Sequence, residues 1–460
     1  MKKFFLVLCI VFGMISINEQ ASASEVQQPT MMELVKAAGL TADVKNEPKT
    51  AILIDSNTGK ILWEKNPDTI HNPASIAKLL TAYRVFEVIK EGKFTLETKV
   101  TATPRYEQIA NIYELSNNKI QQGVSYSVKE LIPMMLVPSS NVATIMLAEL
   151  VEQDSAKYLK ELNELCESFG MMNTKIYNAT GAQISSFKGL YSDDPQTSEL
   201  AQDKDNETTA RDLAIFTRNL LERYPEILMY TKEPKIKVMT GTPNEEEFES
   251  YNYSLPGLQY SFDGVDGLKT GSSQTGAFNI DATAKRGDFR IIAIVLGVGD
   301  WADQDGEYYR HPFTNALLKY GFDNFSYQEV LPAGKHKISG VDVELKDPLK
   351  DTIKKSQPLD FKLVDKTRIQ MKDPLPVVSD KVKLISVPIV TEDNGGKLKT
   401  PAKQQTLKSI SKNIRLLGTI FIIVLFLIMF VVMYFLKKRK LRSEKQKTYQ
   451  TGETRRSRRR

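Results

Sequence analysis

Three short motifs, far apart along the chain, constrain its fold more than any other feature. Ser75 and Lys78 stand three residues apart in His71-Asn72-Pro73-Ala74-Ser75-Ile76-Ala77-Lys78. Ser139-Ser140-Asn141 begins 64 residues after Ser75 (139 − 75), and Lys269-Thr270-Gly271 begins 194 after it (269 − 75). Alone, a Ser-x-x-Lys is incidental, Ser-Ser-Asn more often caps a helix, and Lys-Thr-Gly is common in turns. Together they describe one site, provided the fold brings a helix start, a loop between helices and a strand edge to the same place.

The chemistry such a site supports follows from the residue types. A serine hydroxyl is a poor nucleophile until a base takes its proton. Residues i and i+3 share a helix face, so Lys78 Nζ can reach Ser75 Oγ. A lysine titrates near 10.4 and serves as a base only when desolvation or a second positive charge lowers that value. Lys269 supplies the second charge if its strand lies opposite the helix. Ser139 can shuttle a proton to a leaving amine, and Asn141 can hold both the lysine and a substrate amide. Thr270 offers a hydroxyl to a substrate carboxylate, and Gly271 leaves room for substrate backbone at the strand edge. Histidine is not needed. His71, His311 and His336, the only three, have no metal-ligand spacing and read as structural, and no serine sits in a hydrolase-type nucleophile elbow.

Charge and hydropathy place the site in a compartment. The net charge of +6 is misleading as a global figure, because residues 437–460 carry 12 Lys+Arg against Glu444 and Glu453, which is +10 and leaves about −4 for the rest. A mildly acidic body with its basic excess in a tail argues against a nucleic-acid-binding domain. Lys2 and Lys3, the apolar stretch 4–17 and Ala21-Ser22-Ala23 form an export signal, 1–23, cleaved after Ala23. Cys9 leaves with it, so Cys166 has no intrachain partner and reads as a buried helix residue. Residues 416–436 are uncharged, with only Thr419 and Tyr434 polar. At 1.5 Å per residue they span about 31 Å, the thickness of a hydrocarbon core. The basic cluster that follows predicts a single span with the C-terminus cytoplasmic and the body outside. The tail, 437–460, then lies near anionic headgroups.

Between those segments the periodicity predicts a β-hairpin (51–55 and 61–64), then helices over 75–90, 127–136, 142–152, 156–169 (closed by Gly170) and 209–223. Residues 191–207 and 244–247 read as exposed loops. Strands follow at 267–271, 278–284 and 289–298, and a helix at 311–320 ended by Gly321. The order hairpin, helices, strands, helix predicts an α+β fold, an antiparallel or mixed sheet with a helical lobe inserted between its edges. Short alternating runs at 341–345, 359–363 and 382–390 predict a small all-β domain over 328–393, joined to the span by a linker, 394–415.

Beyond the three motifs, Pro73-Ala74-Ser75-Ile76-Ala77-Lys78-Leu79-Leu80-Thr81 and Val265-Asp266-Gly267-Leu268-Lys269-Thr270-Gly271 resemble the conserved blocks of the low-molecular-mass penicillin-binding proteins that are serine-type D-alanyl-D-alanine carboxypeptidases. The hairpin with Ala51-Ile52-Leu53-Ile54-Asp55 and Thr58-Gly59, the helix with Ala210-Arg211-Asp212-Leu213-Ala214, and residues 310–322 fit as well. The resemblance implies a β-lactamase/DD-peptidase-like catalytic domain, 38–327, with Ser75 acylated and Lys78 as general base. It implies that Ser139 and Asn141 form the second element and that Lys269, Thr270 and Gly271 line the substrate edge. Backbone amides of Ser75 and Ser272 would form the oxyanion hole, and Arg310 would stand near the substrate's terminal carboxylate. No metal or organic cofactor is implied. The expected partners are the peptidoglycan stem peptide, β-lactams as covalent inhibitors, and the membrane.

The chain departs from the family at Val142, where an acidic residue is common, and at Ser272-Ser273-Gln274-Thr275-Gly276. Three alternatives stand beside this reading. A transpeptidase or endopeptidase would use the same acyl-enzyme. A β-lactamase would need a deacylating glutamate, and no Glu-x-x-Leu-Asn segment follows Asn141. An inactive wall-binding protein would have lost a motif residue, and none is lost.

Overall fold

The computed structural model describes residues 28–390. The expected signal, linker, span and tail lie outside the described residues, among which no helix is long and apolar enough to cross a membrane. Two units separate. The first comprises residues 28–328 with 351–358 and 374–384, and the second 329–350, 359–373 and 385–390.

The first unit is built on five antiparallel strands: β1 (Thr50–Asp55), β2 (Ile61–Lys65), β3 (Val265–Ser273), β4 (Ala277–Arg286) and β5 (Phe289–Val298), in the order β2-β1-β5-β4-β3. The unbroken apolar run of β5 is buried on both faces. Ile292, Ile294 and Leu296 join one hydrophobic cluster and Ile291, Ala293 and Val295 the other. β3 is left at the edge, with an unpaired side on which a substrate backbone could lie.

On the first face packs the helical lobe: α1 (Lys78–Lys90), α2 (Val128–Leu136), α3 (Asn141–Val151), α4 (Ser155–Phe169) and α5 (Ala210–Arg223). Gly170 ends α4 in the left-handed region at φ 88°, as the sequence predicts. Cys166 is buried in that helix, and burial pushes its thiol up to about 12. α6 (Gly306–Asn324) covers the other face. It runs straight through Gly321, which the sequence reads as a stop. A Cβ there would come within 2.9 Å of Ile291 Cδ1 and 3.0 Å of Leu53 Cδ2, so this glycine serves close helix–sheet packing.

Two expected loops differ as well. Residues 246–249 form a strand paired with Lys235–Val238, a ribbon of opposed charges in which Lys235 faces Glu249 and Lys237 faces Glu247. Its polar sequence hides it from hydropathy. The stretch 191–207 has exposed residues in its middle and a short 3₁₀ turn (Pro195–Glu199), but its ends are tied in. Tyr191 and Asn206 are buried, and Asn206 Oδ1 accepts hydrogen bonds from the amides of Tyr177 and Asn178.

Residues 351–358 return to the first unit through a buried polar clasp. Lys60 Nζ lies 2.7 Å from Asp351 Oδ1 and donates to Thr352 O, while Asp55 Oδ2 accepts from the hydroxyls of Thr58 and Thr352. The second unit is a five-stranded sheet, Gly334–Ile338, Val341–Leu345, Val387–Val390, Arg368–Met371 and Phe361–Val364 in spatial order. Strand 341–345 lies where expected. The expected runs 359–363 and 382–390 shorten to Phe361–Val364 and Val387–Val390.

Candidate active site

The serine does not begin a helix. Ala74–Ala77 is a 3₁₀ turn and α1 starts at Lys78. In a 3₁₀ turn residues i and i+3 eclipse, which sets Lys78 over Ser75 more directly than an α-helix would. Ala74 is held at φ 47°, a costly value for a residue with a Cβ. The turn is wedged from two sides. A Cβ on Gly181 would stand 2.0 Å from Ala74 O, and one on Gly271 2.4 Å from Pro73 O and 3.1 Å from Ser75 N. Gly271 is therefore required by the nucleophile's own turn, an addition to the substrate-side reason given above. Asn72 ties the turn to the sheet: its Oδ1 accepts from Ala74 N, and its Nδ2 donates to the hydroxyls of Ser273 and Thr275.

Lys78 has no exposed surface. Its Nζ lies 2.9 Å from Ser75 Oγ, 2.9 Å from Asn141 Oδ1 and 2.7 Å from Thr180 O. The last two can only accept, so they take both N–H groups of a neutral amine and aim its lone pair at the serine hydroxyl. Among the described residues no carboxylate pairs with this lysine. Burial, reinforced by the charge of Lys269, holds its value well below the ordinary lysine range.

Asn141 is the first residue of α3, whose N-cap is Ser140; Ser140 Oγ accepts from Ala143 N at 3.2 Å. Asn141 Nδ2 donates to Ser116 O, which fixes the amide with its oxygen toward Lys78. Ser139 sits at φ 63°, 6% exposed, and its Oγ has no hydrogen-bond partner among the described residues. A buried hydroxyl with nothing to bind is expensive, and proton transfer is a reason to keep one.

Lys269 and Thr270 lie on β3, 2% and 7% exposed. Lys269 Nζ donates to Thr270 O at 2.9 Å, and burial together with Arg310 lowers this lysine to about 7. Arg310, on α6, is 1% exposed and donates to Ser272 Oγ at 3.0 Å. Burial brings it down to about 10, and its Nε has no partner among the described residues. Arg310 therefore reaches the site through Ser272, from beneath the strand.

A cleft of about 340 Å³ opens over the nucleophile, lined by Ser75, Asn141, Ser272 and others. Its remaining walls include residues that sequence reasoning missed: Ser116, Gly181, Gln183, Asp205 and Trp301. Asp205, from the stretch read as a loop, accepts from Thr275 Oγ1 at 2.7 Å and from Gln183 Nε2 at 3.2 Å. No motif marks these positions; only Gly181, following Thr180, has a residue type that hints at a backbone constraint. His71 donates to Gly276 O through Nε2, and His311 contacts Ser254 Oγ through Nδ1. Both lie within the fold, and no group of His, Cys, Asp and Glu among the described residues could hold a metal ion.

A helical lobe packed on an antiparallel sheet, with a serine and a desolvated lysine at its edge strand, defines a serine acyl-enzyme. A family model described as D-alanyl-D-alanine carboxypeptidase matches residues 37–300, and a second, described as a domain of unknown function, matches 327–389. The chain belongs to the D-alanyl-D-alanine carboxypeptidase family of peptidases. It is 25% identical over 342 residues to D-alanyl-D-alanine carboxypeptidase DacF of Bacillus subtilis, covering 72% of this chain and 78% of that one. It is 28% identical over 288 residues to D-alanyl-D-alanine carboxypeptidase DacA of Haemophilus influenzae, covering 62% of this chain and 65% of the relative. The crystal structure of a peptidoglycan synthesis regulatory factor (PBP3) from Streptococcus pneumoniae shares the fold, with TM-score 0.63 and 24% identity over 76% of this chain and 98% of that one.

Proposed function

We propose that the protein removes the terminal D-alanine from peptidoglycan pentapeptide stems, and that β-lactams acylate the same serine. The observation that carries this is the setting of Lys78: fully buried, with two obligate acceptors on its N–H groups and Ser75 Oγ at its third position. Lys78 takes the Ser75 proton as Oγ bonds to the penultimate carbonyl carbon. The tetrahedral oxyanion is met by the amides of Ser75 and Ser272. As the C–N bond breaks, Ser139 passes a proton to the departing D-alanine amine, and water then hydrolyses the ester by the reverse relay. Asn141 holds the stem amide, and Lys269 and Thr270 meet the terminal carboxylate. Arg310 orients Ser272 and adds positive potential behind it.

The chain's location belongs to the same reading: export by segment 1–23, a single span at 416–436, and a cytoplasmic basic tail. The composition of those segments supports it. In membrane fractions the full chain should sediment with the bilayer, and a chain ending at Lys412 should be released. Release of the full chain as well would overturn the anchor.

Mass spectrometry of the protein incubated with a pentapeptide ending in D-Ala-D-Ala tests the activity. Loss of one alanine, absent in Ser75→Ala, is expected. A cross-linked dimer as main product would make the enzyme a transpeptidase, and no reaction would reject the proposed substrate.

A further inference from the structure

Strand β4 carries an acid that this reaction does not use. Asp281 has no exposed surface. Its Oδ2 accepts from the hydroxyl of Thr217 on α5, and among the described residues its Oδ1 accepts no hydrogen bond. A buried carboxyl with an idle oxygen is destabilising, and a purely structural acid usually has a full set of partners. The strand register supplies another reason for it. Asp281 stands directly opposite Lys269 in the β3–β4 ladder. Residues so opposed project on the same face, with Cβ atoms about 4.5–5.5 Å apart.

Lys269 is buried too, and its ammonium is spent on the carbonyl of Thr270. The charged group that bears on it is Arg310 from α6, and Lys269 in turn lowers Lys78 at the start of α1, which is neutral as a base. Thr217 from α5 and Ile294 from β5, which flank Asp281, are neutral. Asp281 is thus the acid placed opposite Lys269 in the ladder. Burial raises it to about 7, and burial together with Arg310 lowers Lys269 to about 7.

We propose that Asp281 is a positioning residue for the reaction, the counter-charge that keeps Lys269 cationic beside Arg310. The inference rests on the reading of Lys269 as the cation that meets the substrate carboxylate. Without the acid, Lys269 is left beside the like charge of Arg310 and gives up its proton at lower pH. Its attraction for the substrate carboxylate then fails at lower pH, while the serine and its base remain in place.

The test is the pH profile of kcat and KM for D-Ala-D-Ala pentapeptide hydrolysis by the full chain, in wild type, Asp281→Asn, Asp281→Glu and Thr217→Val. In Asp281→Asn the alkaline limb of kcat/KM should move down by about one pH unit or more, the effect of losing a close opposite charge, and through KM rather than kcat. Asp281→Glu should restore much of it. Thr217→Val, which weakens the ionised carboxylate but keeps it, should shift the limb less in the same direction. It also decides the matter if Asp281→Asn loses its cooperative melting transition. Wild-type turnover with superimposable variant profiles, or a fall in kcat equal at every pH, would overturn the role of Asp281 alone. Absence of wild-type turnover would overturn the proposed activity and this role with it.

Discussion

A side chain added at Gly181 would begin 2.0 Å from the carbonyl oxygen of Ala74, one residue before the nucleophile. Gly181 also has φ 88°, so substitution is strained even before the clash. Gly181→Ala should slow acylation by labelled penicillin at least 100-fold, because the 3₁₀ turn must shift and Ser75 moves with it. Strain of about 1–3 kcal/mol should lower the melting temperature by a few degrees. Acylation at the wild-type rate would show that the turn is not wedged by this glycine.

Lys78→Ala should block acylation while the fold persists, with a loss on the order of 10²–10⁴-fold expected for a general base. Intact-protein mass after incubation with penicillin measures it. Normal acylation would remove Lys78 from the mechanism.

The same lysine predicts a pH dependence of stability. Its folded-state value lies well below its unfolded one, so between the two the unfolded chain binds the extra proton. Stability therefore rises with pH over that window and is lowest on its acid side. Relative to Lys78→Met, wild type should gain melting temperature as pH rises from neutral toward 10. Parallel curves for the two proteins would show that Lys78 is not desolvated.

Arg310 donates to Ser272 yet, among the described residues, pairs with no carboxylate. Arg310→Gln should raise KM for the pentapeptide about tenfold, roughly one lost charge-assisted contribution, with a smaller effect on kcat and little loss of melting temperature. An unchanged KM would confine the arginine to a packing role.

The buried Lys60–Asp351 pair, each side chain 1% exposed, should behave differently from the site. Lys60→Met leaves Asp351 uncompensated and should destabilise by about 3–5 kcal/mol, while Lys60→Met with Asp351→Leu should recover most of that. Denaturant unfolding distinguishes them, and equal losses in both would show that the clasp does not depend on its charges.

Much of the fold was legible because its strongest signals are local. β5 occupies 289–298 as its apolar run predicts, and Gly170 stops α4 because a left-handed residue was needed there. The same logic misread Gly321, since a glycine demanded by a neighbouring strand looks in sequence like one demanded by a helix end. The ribbon formed by Lys235–Val238 and Glu246–Glu249 was illegible because it is held partly by cross-strand charge, which has no hydropathic period. Asp205, Ser116 and Trp301 were missed at the site because nothing near them in sequence signals which cleft they wall.

The sequence by itself determined the reacting groups, their order and the regular elements that carry them, because hydroxyl, amine and amide chemistry and apolar periodicity are properties of residue types and spacing. Only the tertiary structure decided that Lys78 is desolvated, the condition for it to serve as a base. Its value depends on burial, on Lys269 brought alongside by an edge strand 191 residues further on (269 − 78), and on acceptors at Asn141 and Thr180. Desolvation and through-space charge depend on distance in the folded chain, and distance along the sequence does not encode them.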